Sequence, residues 1–177
     1  MPAKEFVQAN DLVRDAFRLA KRIYDSNFRP DVLVVLWRGG TPVGMVVHEF
    51  LLFKGIQTYH TAVKAESYVG IGQRIEPRVE NLEPVLAVLK PDSRVLVIDD
   101  IFDSGCTLKR VCDLLRARTS QIRTATLYYK DGNRQVDLEP DFYLRKTDRW
   151  IVFPHELMDL TPQEIRQKDA AVAQLLA

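Results

Sequence analysis

Residues 94–107, RVLVIDDIFDSGCT, constrain the fold of this chain more than any other stretch. The run at 95–98 is apolar and rich in β-branched side chains, which is typical of a strand buried on both faces of a parallel sheet. Two carboxylates, Asp99 and Asp100, close the run, a polar loop follows at 103–107, and apolar residues then recur with helical spacing. The order strand, acidic pair, loop and helix predicts one unit of an α/β fold.

The loop of this unit has the composition of a phosphate site. It leads into a helix N-terminus, where free N–H groups and the helix dipole attract anions; Ser104 and Thr107 add hydroxyl donors, and Gly105 lets the backbone come close. Asp99 and Asp100 would repel a phosphate unless they accept hydrogen bonds from sugar hydroxyls or hold a divalent cation such as Mg²⁺. A phosphorylated sugar with a metal satisfies both demands. The plain alternative is a solvated Asp-rich turn with a helix cap.

A second unit of the same order precedes the first. Residues 31–37 (DVLVVLW) form another run without a polar face, and Arg38, Gly39 and Gly40 follow it at the start of a helical pattern. The glycines permit unusual backbone angles and expose N–H groups, and Arg38 can bind phosphate with two hydrogen bonds. Taken alone, this Arg-Gly-Gly segment is an ordinary tight turn, so its interpretation depends on the first unit.

Residues 94–107 resemble the phosphoribosyl pyrophosphate (PRPP) motif of the type I phosphoribosyltransferases: apolar residues, two acids, two apolar residues, then Asp-Ser/Thr-Gly-x-Thr. Three other segments resemble those of the purine enzymes in that family, namely Arg-Gly-Gly at 38–40, Ser-Tyr with a later Gln-Arg at 67–74, and WIVFPHE at 150–156. The resemblance implies a Rossmann-like α/β fold, in which helices flank a central parallel sheet and a small hood lies over the sheet edge.

The resemblance also implies a role for individual residues. PRPP binding is expected of the motif residues Asp99, Asp100, Asp103, Ser104, Gly105, Cys106 and Thr107. Pyrophosphate binding is expected of Arg38, Gly39, Gly40 and Arg74, and a flexible loop starts at Ser67 and Tyr68. Base binding is expected of Lys130, Trp150 and Ile151. The expected catalytic residues are Asp103, Arg74 and Arg38, and the expected ligands of Mg²⁺ are Asp99 and Asp100, with Glu156 as a further candidate.

The base preference is inferred from Lys130, which ends a strand pattern at the edge where open α/β sheets bind ligands. In the family a lysine here contacts the oxygen at purine C6, and an ammonium donor is a poor partner for the amino group of adenine. Guanine, xanthine and hypoxanthine are therefore favoured. His155 and Glu156 depart from the Trp-Asp that ends the corresponding segment of the xanthine-guanine enzymes. The resemblance further implies a cis peptide between Trp37 and Arg38.

Local patterns predict the remaining elements. Apolar residues after Asn10 follow a helical period, and residues 56–63 alternate as in a strand. Residues 82–90 fit either a helix or a strand. Short runs at 141–144 and 150–153 are predicted to form strands of a cap. Thr161, with Pro162 and Glu164 after it, predicts a capped helix start.

Length and composition predict a single domain over residues 1–177, with a core at about 30–130, a base-binding hood at about 131–157 and a C-terminal helix at 162–176. A net charge of +1 gives no reason to expect nucleic acid or an anionic membrane as a partner. No apolar run approaches membrane-spanning length, so a cytoplasmic protein is expected. The C-terminal helix is expected to pack against another subunit, in a homodimer or homotetramer.

These features predict a Mg²⁺-dependent purine phosphoribosyltransferase of purine salvage, which joins a 6-oxopurine to PRPP and releases pyrophosphate. Three alternatives stay open. One is a PRPP-sensing regulatory protein on the same fold, although neither a helix-turn-helix segment nor a basic face is evident. Another is a phosphoribosyltransferase for adenine or a pyrimidine. The last is an unrelated doubly wound phosphate binder, although the sequence lacks the pattern Gly-x4-Gly-Lys-Ser/Thr.

Overall fold

The computed structural model describes residues 4–66, 69–70, 73–74 and 77–176, and at 69–70 and 73–74 it describes the backbone alone. The chain divides into two compact units. The larger unit is Val13–Asp148, and the smaller one consists of Met1–Leu12 and Arg149–Ala177. No helix in the described part of the chain has both the length and the apolar character needed to cross a membrane.

Strands and helices alternate through most of the described chain. The strands are β1 (Lys4–Phe6), β2 (Val32–Trp37), β3 (Tyr59–Glu66), β4 (Val69–Gly70), β5 (Gln73–Arg74), β6 (Arg78–Glu80), β7 (Val95–Ile98), β8 (Ile101–Phe102), β9 (Ile122–Tyr129), β10 (Phe142–Lys146) and β11 (Trp150–Val152). The helices are α1 (Ala9–Asp25), α2 (Gly40–Phe53), α3 (Glu83–Val88), α4 (Cys106–Leu115), α5 (Pro162–Lys168) and α6 (Ala170–Leu175).

The larger unit is built on one sheet, with strands in the order β10-β9-β7-β2-β3-β6 and the short strand β8 beside β9. Neighbouring strands in this sheet are parallel, except that β6 is antiparallel to β3. Parallel neighbours need crossover connections, and α2 carries the chain from β2 to β3 while α4 carries it from β8 to β9. This arrangement confirms the predicted α/β fold with a parallel sheet.

The two middle strands, β2 and β7, are the most deeply buried. All of β7 is at 0% exposure, and residues 32–36 of β2 are at most 8% exposed. Their apolar sequences follow from this position, because both faces of a strand in a parallel sheet are covered. The register pairs Val35 with Ile98 and Ile98 with Ala125, so β7 ends level with Val35, two residues before the end of β2, while β9 continues to Tyr129 beside β8. The loops that leave β2 and β7 therefore begin close to one another.

The acidic pair lies where β7 gives way to β8. Both strands run parallel to β9, and Asp99 and Asp100 occupy the interruption between them. Asp99 N donates to the Ala125 carbonyl oxygen at 3.0 Å, and two successive N–H groups of β9 donate to the Asp100 carbonyl oxygen. The backbone of the acidic pair is thus fixed to the sheet.

Two local predictions are refined by the structure. The strand predicted at 56–63 lies at Tyr59–Glu66, because its register with β2 starts at the pair Val32 and Tyr59. The undecided segment 82–90 contains the helix α3, whose first turn holds a proline, a residue that favours helix starts.

The segment predicted as a cap strand at 141–144 belongs instead to the main sheet. It lies in β10, which extends the sheet parallel to β9. The Asp141 carboxylate accepts hydrogen bonds from Thr124 N at 2.8 Å and Thr124 Oγ1 at 3.1 Å, and Phe142 is buried. These contacts attach the segment to β9, and they were not apparent in a run of only four residues.

The smaller unit contains a two-stranded parallel sheet of β1 and β11. The Lys4 ammonium joins this sheet to α5 through an ion pair of 2.7 Å with Glu164. The capping box predicted at the start of α5 is confirmed, since Glu164 N donates to Thr161 Oγ1 and the Glu164 carboxylate accepts from Thr161 N. The helix predicted at 162–176 is divided in two, because extended backbone at Asp169 ends α5 and its carboxylate caps α6.

Candidate functional site

The two predicted ligand loops meet at the end of the sheet where β2 and β7 stop. A Cβ atom added to Gly39 would lie 1.9 Å from Asp100 Oδ2, and one added to Gly40 would lie 2.6 Å from the Ile98 carbonyl oxygen and 3.0 Å from Asp99 Cα. A side chain at either position would force its neighbours to shift, because real Cβ contacts shorter than 3.0 Å are essentially never seen. The Gly-Gly backbone therefore packs directly against the acidic pair, and the two predicted ligand loops lie side by side.

The acidic pair places two carboxylates side by side. Asp100 is 8% exposed, and its N–H donates to Asp99 Oδ1 at 3.0 Å. Burial raises the pKa of Asp99 well above its usual value, and the negative charge of Asp100 raises it further. A bound cation would relieve both effects, because it compensates the charge of two neighbouring carboxylates at once.

The donor set of this pair fits Mg²⁺, a hard cation that prefers carboxylate oxygens and usually completes its coordination with water and substrate phosphates. Among the described residues, no group of three or more His, Cys, Asp or Glu side chains is arranged to hold a metal. A cation at Asp99 and Asp100 would therefore share its coordination with a ligand rather than be enclosed by the protein.

The predicted phosphate loop precedes the N-terminus of α4. Gly105 has φ +80°, a left-handed conformation that side chains disfavour, and the Phe102 ring lies where its Cβ would be. Cys106 N donates a long hydrogen bond of 3.4 Å to Ser104 Oγ. Ser104, Cys106 and Thr107 are partly exposed. The loop thus presents N–H and hydroxyl groups at a helix start, which is the arrangement that binds phosphate.

Asp103 and Lys130, predicted to act on the base, form an ion pair. Lys130 Nζ lies 3.0 Å from Asp103 Oδ2, and the Lys130 side chain is 8% exposed against 49% for Asp103. Lys130 reaches this position because its N–H continues the β8 and β9 pairing with a 2.8 Å hydrogen bond to the Phe102 carbonyl oxygen. Asn133 Nδ2 donates to the other oxygen of Asp103 at 2.8 Å. Both carboxylate oxygens of Asp103 are therefore hydrogen-bonded.

Arg38 is exposed, and the peptide between Trp37 and Arg38 is cis, as the resemblance implied. The Arg38 carbonyl oxygen accepts hydrogen bonds from Thr41 N and Thr41 Oγ1, and these bonds fix the turn. Of the predicted flexible loop, Ser67 and Tyr68 lie outside the described residues. Arg74 is described only as backbone in β5, which is paired with β4.

The predicted base-binding segment lies in the smaller unit. Trp150 is 47% exposed, whereas Ile151 is buried. The carboxylate of Glu156, the further candidate metal ligand, accepts a hydrogen bond from Phe153 N at 3.0 Å and so closes the turn that follows β11. The buried Lys168 of α5 donates to the Glu156 carbonyl oxygen, and burial lowers the pKa of this lysine.

Two of these residues were missed from the sequence. Asn133 follows Lys130 in a short turn of polar residues. Such a turn has the composition of an ordinary solvated loop, so the sequence did not indicate a contact between Asn133 and Asp103. Lys168 lies on a mildly amphipathic helix, where a lysine is normally solvated. Their contacts depend on how distant segments meet.

A family model for the phosphoribosyl transferase domain matches residues 2–160. The hypoxanthine-guanine phosphoribosyltransferase of Staphylococcus epidermidis is 28% identical over 107 residues, which cover 59% of this chain and 54% of that enzyme. The chain thus spans about half the length of that relative. The enzyme of the same name from Streptococcus pyogenes is 23% identical over 141 residues, which cover 75% of this chain and 72% of that enzyme.

Solved structures share the fold. A hypothetical protein of Neisseria gonorrhoeae with bound ppGpp has a TM-score of 0.76 at 23% identity, covering 97% of this chain and 98% of its own. A purine phosphoribosyltransferase of Pyrococcus horikoshii has a TM-score of 0.71 at 24% identity, covering 89% and 97%. The xanthine-guanine-hypoxanthine phosphoribosyltransferase of Helicobacter pylori has a TM-score of 0.68 at 20% identity, covering 98% and 99%. The match to the family model over residues 2–160 shows that this chain belongs to the phosphoribosyl transferase domain family.

Proposed function

We propose that this chain is a purine phosphoribosyltransferase of purine salvage, which transfers the phosphoribosyl group of PRPP to a 6-oxopurine and releases pyrophosphate. One arrangement carries the proposal: the Gly39-Gly40 backbone packs against the acidic pair, and Asp103, three residues after that pair, forms an ion pair with Lys130 at the end of β9. The glycine loop and the acidic pair together could bind a sugar diphosphate and its metal. The ion pair could bind a base that accepts a hydrogen bond from Lys130 and donates a proton to Asp103.

Charge explains the proposed reaction. As the bond from C1′ to the pyrophosphate oxygen breaks, its electron pair leaves with pyrophosphate, and positive charge grows on the ribose. Arg38, Arg74 and the N–H groups of Gly39 and Gly40 would stabilise the leaving group, so catalysis rests mainly on preorganised electrostatics. The Ser104–Thr107 loop would hold the 5′-phosphate. When Mg²⁺ is bound, Asp99 and Asp100 would hold it, and it supplies positive charge for the pyrophosphate oxygens.

Two neighbouring groups of the base would be recognised, the oxygen at C6 and the N–H at N7. Lys130 would donate to the oxygen at purine C6, and Asp103 would accept the proton of N7, which makes N9 a better nucleophile for C1′. The base-binding roles expected of Trp150, stacking on a purine face, and of the Ile151 backbone, reading a purine edge, remain part of the proposal. The proposal also includes four broader features. They are a single domain over 1–177, a hood at 131–157, a homo-oligomer and a cytoplasmic location.

The deciding experiment measures nucleoside monophosphate formed from PRPP and Mg²⁺ with guanine, xanthine, hypoxanthine, adenine or orotate. We expect turnover with at least one 6-oxopurine and little with adenine or orotate. Turnover with orotate or adenine alone would replace this proposal by that of another nucleobase, and no turnover with any base would refute it.

Asp103→Asn tests the role of the carboxylate. The variant should keep PRPP binding and lose turnover by roughly 100-fold or more, since it cannot accept the N7 proton. The matched control is Asp92→Asn, an exposed carboxylate in the turn before β7, at the opposite end of that strand. It should turn over like the wild type. Equal turnover in Asp103→Asn and Asp92→Asn would remove Asp103 from the chemistry.

A regulatory protein is the second candidate, and the Neisseria protein with bound ppGpp supports it. On that reading the chain binds PRPP or a guanosine polyphosphate without turnover. Titration of ppGpp and PRPP in the absence of base, together with the turnover assay above, separates the two candidates: binding without turnover on any base supports regulation, and turnover supports the enzyme.

A further inference from the structure

Residues 130–136, here called the bracing segment, are attached to the predicted PRPP loop at successive points. At its start, the Lys130 N–H bonds to the Phe102 carbonyl oxygen. Near its end, Gln135 N donates to the Ser104 carbonyl oxygen at 3.0 Å. A Cβ on Gly105 would lie 2.7 Å from Val136 Cγ2, so the segment also packs against the loop. The bracing segment therefore runs alongside the chain from Phe102 to Gly105.

Asn133 lies at the middle of this contact. Its own N–H donates to the Lys130 carbonyl oxygen at 3.1 Å, which fixes the turn that carries it. Its side-chain amide reaches Asp103 Oδ1 at 2.8 Å, while Lys130 Nζ reaches Asp103 Oδ2. A hydrogen bond to a charged acceptor is among the stronger kinds, and two donors on two oxygens fix the plane of the carboxylate.

The two donors to Asp103, Lys130 and Asn133, differ in what else they would bind once a base is present. On the proposed function, Lys130 divides its three N–H donors between Asp103 and the base, so it is no longer committed to Asp103 alone. Asn133 has no such second duty. The Asp103 side chain is 49% exposed and would otherwise rotate away from the proton that it must accept.

We propose that Asn133 is a positioning residue that keeps the Asp103 carboxylate oriented toward the base. The inference rests on the proposed function, because it names the group that holds the proposed proton acceptor in place. It is specific to this turn, since the neighbouring positions contact the loop through backbone atoms or aliphatic packing. Asn133 acts through Asp103 and does not itself meet the reacting atoms.

Asn133→Ala and Asn133→Asp test this role. We expect kcat to fall about 10-fold in Asn133→Ala, because one charge-assisted hydrogen bond to Asp103 is lost. Asn133→Asp keeps the shape of the side chain but removes the donor and adds a negative charge, so kcat should fall at least as far. The KM for PRPP should stay within about twofold of the wild type. Wild-type kcat in Asn133→Asp would show that the residue only fills space, and would overturn the proposal.

Gln135→Ala is the matched control within the bracing segment. It removes an exposed side chain but keeps the backbone N–H that bonds to Ser104. We expect wild-type kcat in this variant. If Gln135→Ala lowers kcat as much as Asn133→Ala does, the effect belongs to the segment as a whole, and the assignment to Asn133 fails.

A second readout does not depend on activity. Cys106 lies in the loop and is partly exposed, whereas Cys112 is buried, so a thiol reagent applied to the folded protein reports on the loop. Repulsion between Asp103 and an introduced carboxylate should raise the Cys106 labelling rate about fivefold in Asn133→Asp. An unchanged rate would overturn the proposed contact. If the wild type shows no turnover, the proposed function fails, and labelling still decides whether Asn133 orders the loop.

Discussion

The contact between the glycine loop and the acidic pair predicts that two adjacent glycines will respond differently to alanine. In Gly39→Ala the new methyl group meets the end of a side chain, Asp100 Oδ2 at 1.9 Å. In Gly40→Ala it meets backbone, the Ile98 carbonyl oxygen at 2.6 Å and Asp99 Cα at 3.0 Å. A side chain can rotate away, whereas the backbone of a buried strand end cannot.

The magnitudes follow from this difference. In Gly39→Ala, Asp100 must retreat by at least about 1 Å, at a rotamer cost of about 0.5–1.5 kcal/mol. A misplacement of that size in a binding group costs about 100-fold in kcat/KM. In Gly40→Ala, overpacking against fixed backbone costs about 1–3 kcal/mol of unfolding free energy. The helix propensity of alanine offsets little of this cost, because Gly40 is the first residue of α2 and not an interior one. Gly40→Ala should therefore be the less stable variant, and both variants should lose activity.

Gly132→Ala is the matched control, because a Cβ at Gly132 meets nothing within 4 Å. Thermal unfolding and kcat/KM for PRPP should be measured on the three variants side by side. We expect Gly132→Ala to match the wild type in both. Wild-type kcat/KM in Gly39→Ala would show that Asp100 has no part in the site. A Gly39→Ala variant less stable than Gly40→Ala would contradict the packing argument.

Three further predictions concern the rest of the fold. Burial raises the pKa of the Cys112 thiol to about 12, so at pH 8 only Cys106 should react quickly with a disulfide reagent in the folded protein. Both thiols should react after unfolding, and two fast-reacting thiols in the folded protein would contradict this prediction. Asp141→Ala should cost about 1–3 kcal/mol in urea unfolding, because it leaves the buried Thr124 N–H unpaired, and Asp141→Asn should cost less. Hydrogen bonding to Arg94 lowers the pKa of Asp31 below its usual 3.8, so Asp31→Asn should cost under about 1 kcal/mol at pH 7, and this cost should shrink as the pH falls below 3.8 and the carboxylate takes up its proton; a cost that does not change with pH would contradict the pairing.

The parts of the fold that could be predicted are those set by short-range pattern. The apolar runs of β2 and β7 are short and rich in β-branched residues, which favours buried strands, and apolar residues of period 3.6 after a polar loop predict α4. These signals need no knowledge of tertiary contacts, because each is confined to about a dozen residues.

The parts that could not be predicted depend on how distant segments meet. The approach of Gly39 to Asp100 depends on which residues of β2 and β7 pair with each other. Two uniformly apolar runs do not reveal that pairing, because neither has a polar face to fix its register. The hydrogen bond of Asn133 to Asp103 joins loops on either side of α4 and β9. The break at Asp169 is a local competition between capping and helix continuation, which propensity alone does not decide.

The most direct test of the central claim is a calorimetric titration of the purified chain with PRPP, with and without Mg²⁺. If Asp99 and Asp100 hold a cation beside the glycine loop, PRPP should bind at one site per chain with Mg²⁺ and much more weakly without it. Saturable binding that is indifferent to Mg²⁺, or no binding in either condition, would contradict the account.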